Sequence, residues 1–264
     1  DRPNVFPGTA RDRLLKLSTV LKRASALGLL PAAQNPFLTF RLSATGNKRP
    51  PRRPTESERL AFLAFDLRTI PTLFRREGFH AGLSLRRDIW HLQYLLRGSR
   101  IGDVLQLRER DVREDRISFT ETKTGKLKSM SRTTAINALL AHHPPTGEPL
   151  AYVFPALDHT RAYGAESPAP AYRQVLGETI NSRIQWMNLG LALIARAAGL
   201  PVFTTHSARH LFAEKVYAKT KDLRLIQAMF NHSDVATTER YMRTLGYDAL
   251  DAATAAALEE DVSH

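Results

Sequence analysis

The stretch Thr205-His206-Ser207-Ala208-Arg209-His210, followed downstream by Asn231-His232 and then by Tyr241, carries most of what this chain says about itself. Three histidines, an arginine and a tyrosine stand there at fixed spacings. Thr205 reads as the N-cap of a helix running through Lys215, with Ala208, Leu211, Phe212 and Val216 as its buried stripe. His206 and Arg209 are three apart, so they share a face of the first turn, where backbone N–H groups also favour an anion. A second helix over Asp222–Phe230 ends at Asn231, a residue suited to a left-handed C-terminal position. Asp234 then caps a further short helix that carries Tyr241.

Upstream lie an arginine, Arg100, and a lysine, Lys123. Trp90 to Leu107 is strongly apolar and reads as two helices meeting at Gly98. Arg116 to Thr133 alternates Ile117 and Phe119, then runs Thr122-Lys123-Thr124-Gly125-Lys126, which predicts a β-hairpin with glycine in its turn. Pro144 to Pro170 is rich in Pro, Gly and Ala and reads as loop, with Tyr152-Val153-Phe154 as a short buried piece. From Ile180 onward helical patterns dominate. The expected fold class is mainly α with a small antiparallel β-sheet, an α+β arrangement.

Towards the N-terminus, Arg11 to Leu30 places Leu14, Leu17, Leu21, Ala24 and Leu27 at helical spacing, and Gly28 and Pro31 stop that helix. Ala44 to Pro54 holds Lys48, Arg49, Arg52 and Arg53 among Pro50, Pro51 and Pro54, and reads as an extended basic linker. Thr55-Glu56-Ser57-Glu58 is a capping box that opens the next helix. The domain boundary is expected in this linker. The chain opens at Asp1 without a methionine, so a fragment of something longer is expected.

Composition narrows the partner. Thirty-eight Lys and Arg against 26 Asp and Glu leave a net charge of +12, which points to a polyanion, most often nucleic acid. There is no cysteine, which removes disulfides and thiolate metal sites. The longest apolar run, Leu189 to Leu200, is broken by Arg196 and too short to span a bilayer.

The residue types then suggest a reaction. A tyrosine hydroxyl is a weak nucleophile at neutral pH and needs a base or surrounding positive charge. His206 supplies acid–base chemistry. Arg100 and Arg209 present planar forks matched to the non-bridging oxygens of a phosphate, and would neutralise charge in a pentavalent transition state. Lys123 can bring a proton to the leaving 5′ oxygen, with Lys126 or Lys128 as substitutes, and His232 can hydrogen-bond the phosphate.

In these residues the chain resembles the tyrosine recombinases of the phage integrase family. The first box is Gly98-Ser99-Arg100-Ile101-Gly102-Asp103 with Leu105 and Leu107, and the hairpin lysine stands in Thr122-Lys123-Thr124-Gly125. The His-x-x-Arg box is His206 to Arg209, and the last box is Phe230-Asn231-His232, with the nucleophile nine residues on at Tyr241. The departures are Phe230 for Leu, Asn231 for Gly and Ser99 for an apolar residue. The resemblance implies catalytic roles for Arg100, Lys123, His206, Arg209, His232 and Tyr241. It implies site-specific cleavage and rejoining of double-stranded DNA through a 3′-phosphotyrosyl bond, without metal, nucleotide or other cofactor.

It also implies residues 1–43 as the end of a helical core-binding domain, 44–54 as linker and 55–264 as catalytic domain. A homotetramer on paired DNA sites is expected, with no membrane association and a cytoplasmic location in a bacterial host, on the nucleoid or phage-encoded. Tyr247 to Leu258 reads as a short Ala-rich helix that must dock on its own domain or on a neighbour, and the resemblance implies the neighbour. Three other readings were weighed: a type IB topoisomerase-like relaxing enzyme, a DNA-binding protein without catalysis, and a zinc hydrolase using His206, His210 and His232. The last lacks the glutamate that a zincin needs, since Ser207 follows His206.

Overall fold

A computed structural model describes residues 7–39, 52–71, 78–157 and 170–230, with side chains at 13–39 and, in the last segment, from 174. The chain divides into two compact units, Asp1–Pro51 and Arg52–His264. The described elements are mostly helical, with one two-stranded antiparallel sheet, as the residue patterns predict.

In the first unit, helix α1 spans Pro7–Ala26, beginning four residues before the expected start. Gly28 stops it. Its φ of 71° is a left-handed conformation, and Leu29 N–H reaches back to the Ala24 carbonyl at 2.9 Å, which closes the helix end.

The second unit opens with α2, Glu56–Ala64, and its capping box is formed as the Thr55–Glu58 pattern predicts. Helix α3, Phe79–Leu95, is the central element and packs against α4 (Ile101–Leu105), α5 (Thr134–Leu140), α6 (Pro170–Ala197) and α7 (Thr205–Thr220). Between α3 and α4 the chain turns through Arg97 and Gly98, both at positive φ. Helix α6 starts at Pro170, ten residues before Ile180. The Pro- and Ala-rich loop expected over Pro144 to Pro170 meets the helix at its last residue, and proline is tolerated in a first helical turn, where its missing N–H has no partner to lose.

Strands β1 (Arg116–Thr120) and β2 (Leu127–Ser131) form the hairpin, with Gly125 at φ 66° in its turn. Both strands alternate, so Ile117 and Phe119 of β1 and Lys128 and Met130 of β2 face inward. Tyr152 and Phe154 are buried in the segment that follows α5, and Tyr152 bridges to Arg108.

The core is aromatic where it supports α7. Phe62 stacks on Phe203 with ring centroids 4.1 Å apart, and Trp90 sits edge-on to both at 5.4 and 5.2 Å. All three are fully buried, each worth about 1.5–3 kcal/mol of apolar burial or more. Trp90 Nε1 also donates to the Thr204 carbonyl at 2.9 Å, and Thr205 N–H donates to Asn188 Oδ1 at 2.9 Å. The start of α7 is therefore held by α3 and α6 together. The cap itself is Thr204, not Thr205: its hydroxyl accepts from Ser207 N–H, and Ser207 Oγ accepts from Thr204 N–H. Helix α8, Leu223–Met229, follows, capped by Asp222, whose carboxylate accepts from Arg224 and Leu225 N–H.

Candidate active site

Three segments of the second unit meet: the turn from α3 into α4, the hairpin, and the first turns of α7. The closest approach is between Gly98 and Arg209. A Cβ on Gly98 would stand 2.8 Å from the Arg209 Cα, and Gly98 has φ 58°, so both space and backbone demand glycine there. The Gly98 carbonyl accepts from Arg209 Nη1 at 2.8 Å. The Arg209 guanidinium lies 3.7 Å from the centroid of the Phe230 ring, and the residue is 9% exposed. Phe230 is fully buried, in α8's C-terminal cap position. Arg209 is thus fixed in one orientation before any ligand arrives.

Arg100 is the N-cap residue of α4, two positions from the carbonyl that Arg209 holds. Its guanidinium pairs with Glu121 Oε2 at 3.1 Å, and Glu121 is fully buried at the end of β1. Asp103, three residues after Arg100, is the carboxylate nearest to it in the chain. The structure gives the ion pair to Glu121, while Asp103 Oδ1 accepts from Thr122 N–H at 2.9 Å. Burial pushes the Asp103 carboxyl upward, and the Thr122 bonds pull the other way without cancelling it. Ser99, an unexpected polar residue, sits fully buried because its hydroxyl donates to the Leu96 carbonyl.

These acids tie the hairpin to the arginines. Thr124 Oγ1 donates to Glu121 Oε2 at 2.7 Å, and Thr122 N–H is held by Asp103. Lys123 stands between the two threonines at the exposed tip. Its anchor points belong to the same network as Arg100, although the lysine itself projects from the exposed turn. Lys126 is also exposed, whereas Lys128 is 5% exposed on the inward face of β2.

His206 and Arg209 both lie on the first turns of α7, His206 exposed and Arg209 buried. His210 is half-buried, and burial first, with Arg53, His206 and Arg209 adding, holds it at about 3, so it is neutral at ordinary pH. His232 and Tyr241 lie outside the described residues, as do Asn231, Asp234 and the tail from Tyr247 to Leu258. Among the described residues no three His, Asp or Glu side chains are grouped as a metal would require.

The family model for the phage integrase family matches residues 84–246, more than half of the chain. The chain belongs to the phage integrase family. It is therefore a tyrosine recombinase by descent and fold. The probable integrase/recombinase YoeC of Bacillus subtilis (strain 168) is 28% identical over 144 residues, covering 54% of this chain and 69% of that protein. Tyrosine recombinase XerD of Lacticaseibacillus casei is 32% identical over 76 residues, 29% of this chain and 26% of that protein. The solved structure of a lambda integrase dimer bound to a COC′ core site matches with a TM-score of 0.56 at 18% identity, over 90% of this chain and 61% of that one. That likeness shows the fold. The chain spans less than two thirds of the length of the XerD and lambda integrase chains that it matches.

Sequence reasoning missed four contributors to this site. Glu121 and the Gly98–Arg209 contact are long-range and leave no local pattern. Trp90 and Asn188 act through hydrogen bonds to backbone atoms of the Thr204–Thr205 segment. Lys128 was legible only in part: counting back two residues from Met130 places it on the buried face of the strand.

Proposed function

We propose that this recombinase cleaves and rejoins double-stranded DNA at specific sites, with Tyr241 as nucleophile and Arg100 and Arg209 as the clamp on the scissile phosphate. The observation that carries the reading is the pairing of two arginines on one small piece of backbone. Arg209 is bonded to the Gly98 carbonyl, and Arg100 follows two residues later with its own buried carboxylate. Two planar cations held this way are preorganised for the charge of a pentavalent phosphorus and need no rearrangement when it forms.

In this mechanism the Tyr241 oxygen attacks phosphorus as its proton leaves, with His206 in reach of acid–base work. The bond to the 5′ oxygen breaks, and Lys123 supplies that oxygen with a proton. The products are a 3′-phosphotyrosyl bond and a free 5′ hydroxyl. A 5′ hydroxyl from a partner strand then attacks the phosphotyrosine and releases Tyr241. Phosphodiester energy is retained in the covalent intermediate, so the exchange requires no nucleotide. His232 completes the phosphate contacts.

We assign residues 1–43 to the end of a core-binding domain, 44–54 to a basic linker and 55–264 to the catalytic domain. The active assembly is a homotetramer on two duplexes, in the cytoplasm of a bacterial host. Helices long and apolar enough to cross a membrane are absent among the described residues.

The polarity of cleavage tests this reading without knowledge of the target site. The chain is incubated with sheared genomic DNA in excess EDTA and quenched with SDS. DNA that stays attached to protein should carry free 5′ hydroxyls that a polynucleotide kinase labels without prior phosphatase. Ends that require phosphatase, or cleavage that EDTA abolishes, would refute it in favour of metal-dependent hydrolysis. Relaxation of supercoiled plasmid with no strand exchange between duplexes would favour the topoisomerase-like alternative.

A further inference from the structure

Lys128 is out of place for a buried strand position. It is paired across the sheet with Phe119 and shares the inward face with Ile117 and Met130, all apolar. At 5% exposure it is nearly closed to bulk water, and among the described residues its Nζ has no hydrogen-bond partner. A buried ammonium without an acceptor is costly, and a methionine or leucine would suit that face of the strand better.

Its cross-strand partner Phe119 stands two residues before Glu121, the buried carboxylate that pairs with Arg100. The charges that act on Lys128 are Arg209 at the start of α7, Arg97 at the turn after α3, Glu121 at the end of β1 and Asp103 on α4. The two acids already have work: Glu121 Oε2 takes Arg100 at 3.1 Å and the Thr124 hydroxyl at 2.7 Å, and Asp103 Oδ1 takes the Thr122 N–H. Burial, with Arg209 reinforcing it and Glu121 opposing, leaves Lys128 at about 8. It remains mostly charged at neutral pH, and an arriving anion would strengthen its hold on the proton.

We propose that Lys128 is a third cation of the site, an ammonium that meets a non-bridging oxygen of the scissile phosphate beside Arg100 and Arg209. This rests on the DNA-cleaving reading above. Lys128 makes and breaks no bond. It stays protonated through the reaction and neutralises charge, whereas proton delivery to the leaving oxygen belongs to the exposed Lys123. A single hairpin would then carry two lysines with separate tasks.

The test compares the full-length chain with its Lys128→Met and Lys128→Arg variants. Lys128→Met should keep or raise the melting temperature, since it removes an uncompensated buried charge. Single-turnover cleavage of a trapping duplex should fall about 10²-fold, as for loss of one transition-state donor. The slope of log affinity against log salt should become shallower by about 0.9, one phosphate contact. Lys128→Arg should recover most of both. On a duplex with a methylphosphonate at the scissile position the defect of Lys128→Met should shrink, because the charge it answers is gone. Wild-type cleavage and an unchanged slope in Lys128→Met would overturn the proposal. So would a lowered melting temperature with equal losses on phosphate and methylphosphonate, the signature of a merely structural lysine. If the wild-type chain cleaves no DNA at all, the recombinase reading is what fails, and the salt slope alone then decides Lys128.

Discussion

Arg209 and Lys123 are both cations of the same site and stand in opposite settings. Arg209 is 9% exposed, bonded to a backbone carbonyl and stacked on a buried ring. Lys123 is exposed at the tip of a two-stranded ribbon, held only through the threonines on either side of it. The roles proposed for the two residues account for the difference. A group that neutralises charge gains from being fixed and desolvated, because its field is then strong and costs nothing to reorganise. A group proposed to hand over a proton must be reachable by the substrate, as an exposed side chain is.

The strongest way to break the floor is Gly98→Ala. An alanine there pays roughly 1–2 kcal/mol for a left-handed backbone, and its Cβ overlaps the Arg209 backbone, for roughly 1–3 kcal/mol more. We expect a loss of about 2–5 kcal/mol in thermal or urea unfolding, together with lost cleavage, because Arg209 is displaced. A variant as stable and active as wild type would mean that the Gly98–Arg209 contact is not required.

Arg209→Ala and Arg100→Ala separate chemistry from binding. Each should slow single-turnover cleavage by ~10²-fold or more. Affinity for duplex DNA should fall less, since many other Lys and Arg residues remain to contact phosphates. Equal losses in both measurements would reduce the two arginines to DNA-holding residues. At the rim, Lys123→Ala should slow cleavage by ~10²-fold with an unchanged melting temperature, as its exposure requires. A bridging sulfur at the 5′ leaving position should restore the rate, because a thiolate leaves without a proton. Persistent loss on that substrate would move the donor to another group.

The smallest expected effect lies away from both. Burial pushes the Glu56 carboxyl up, but hydrogen bonds from Arg59 and Lys215 and their charges outweigh it, and the net value is about 2. A depressed carboxylate adds stability above its ordinary range and loses it as pH falls towards about 2. Glu56→Gln should therefore lower stability at pH 7 by roughly 0.5–1 kcal/mol, after solvent screening of this half-buried carboxylate. The gap to wild type should close in unfolding experiments as pH approaches about 2.

Much of the fold was legible because it is local. The Thr55 capping box, the Gly125 turn and the helix-stopping Gly28 are patterns of a few residues with one physical meaning each. The cap of α7 was displaced by one residue because Thr204 and Thr205 offer the same hydroxyl, and only the Ser207 contacts choose between them. The first turns of α6 fell between two readings, because the Pro-rich loop pattern ends at Pro170 and the helical pattern is plain only from Ile180. For the site, the boxes around Arg100 and Arg209 could be read in order along the chain. Their partners could not. Glu121 reaches Arg100 across 21 positions and Trp90 reaches Thr204 across 114, contacts that only the packed core creates.

The central claim is that this site works through a covalent bond to Tyr241. The direct measurement is mass mapping of the peptide that remains linked to DNA after SDS quenching and proteolysis, for the wild-type chain and for Tyr241→Phe. The account predicts a nucleotide adduct on the peptide containing Tyr241, and none with Tyr241→Phe, whose DNA binding is retained. An adduct on Tyr217 or Tyr247, or one that persists in Tyr241→Phe, would contradict it.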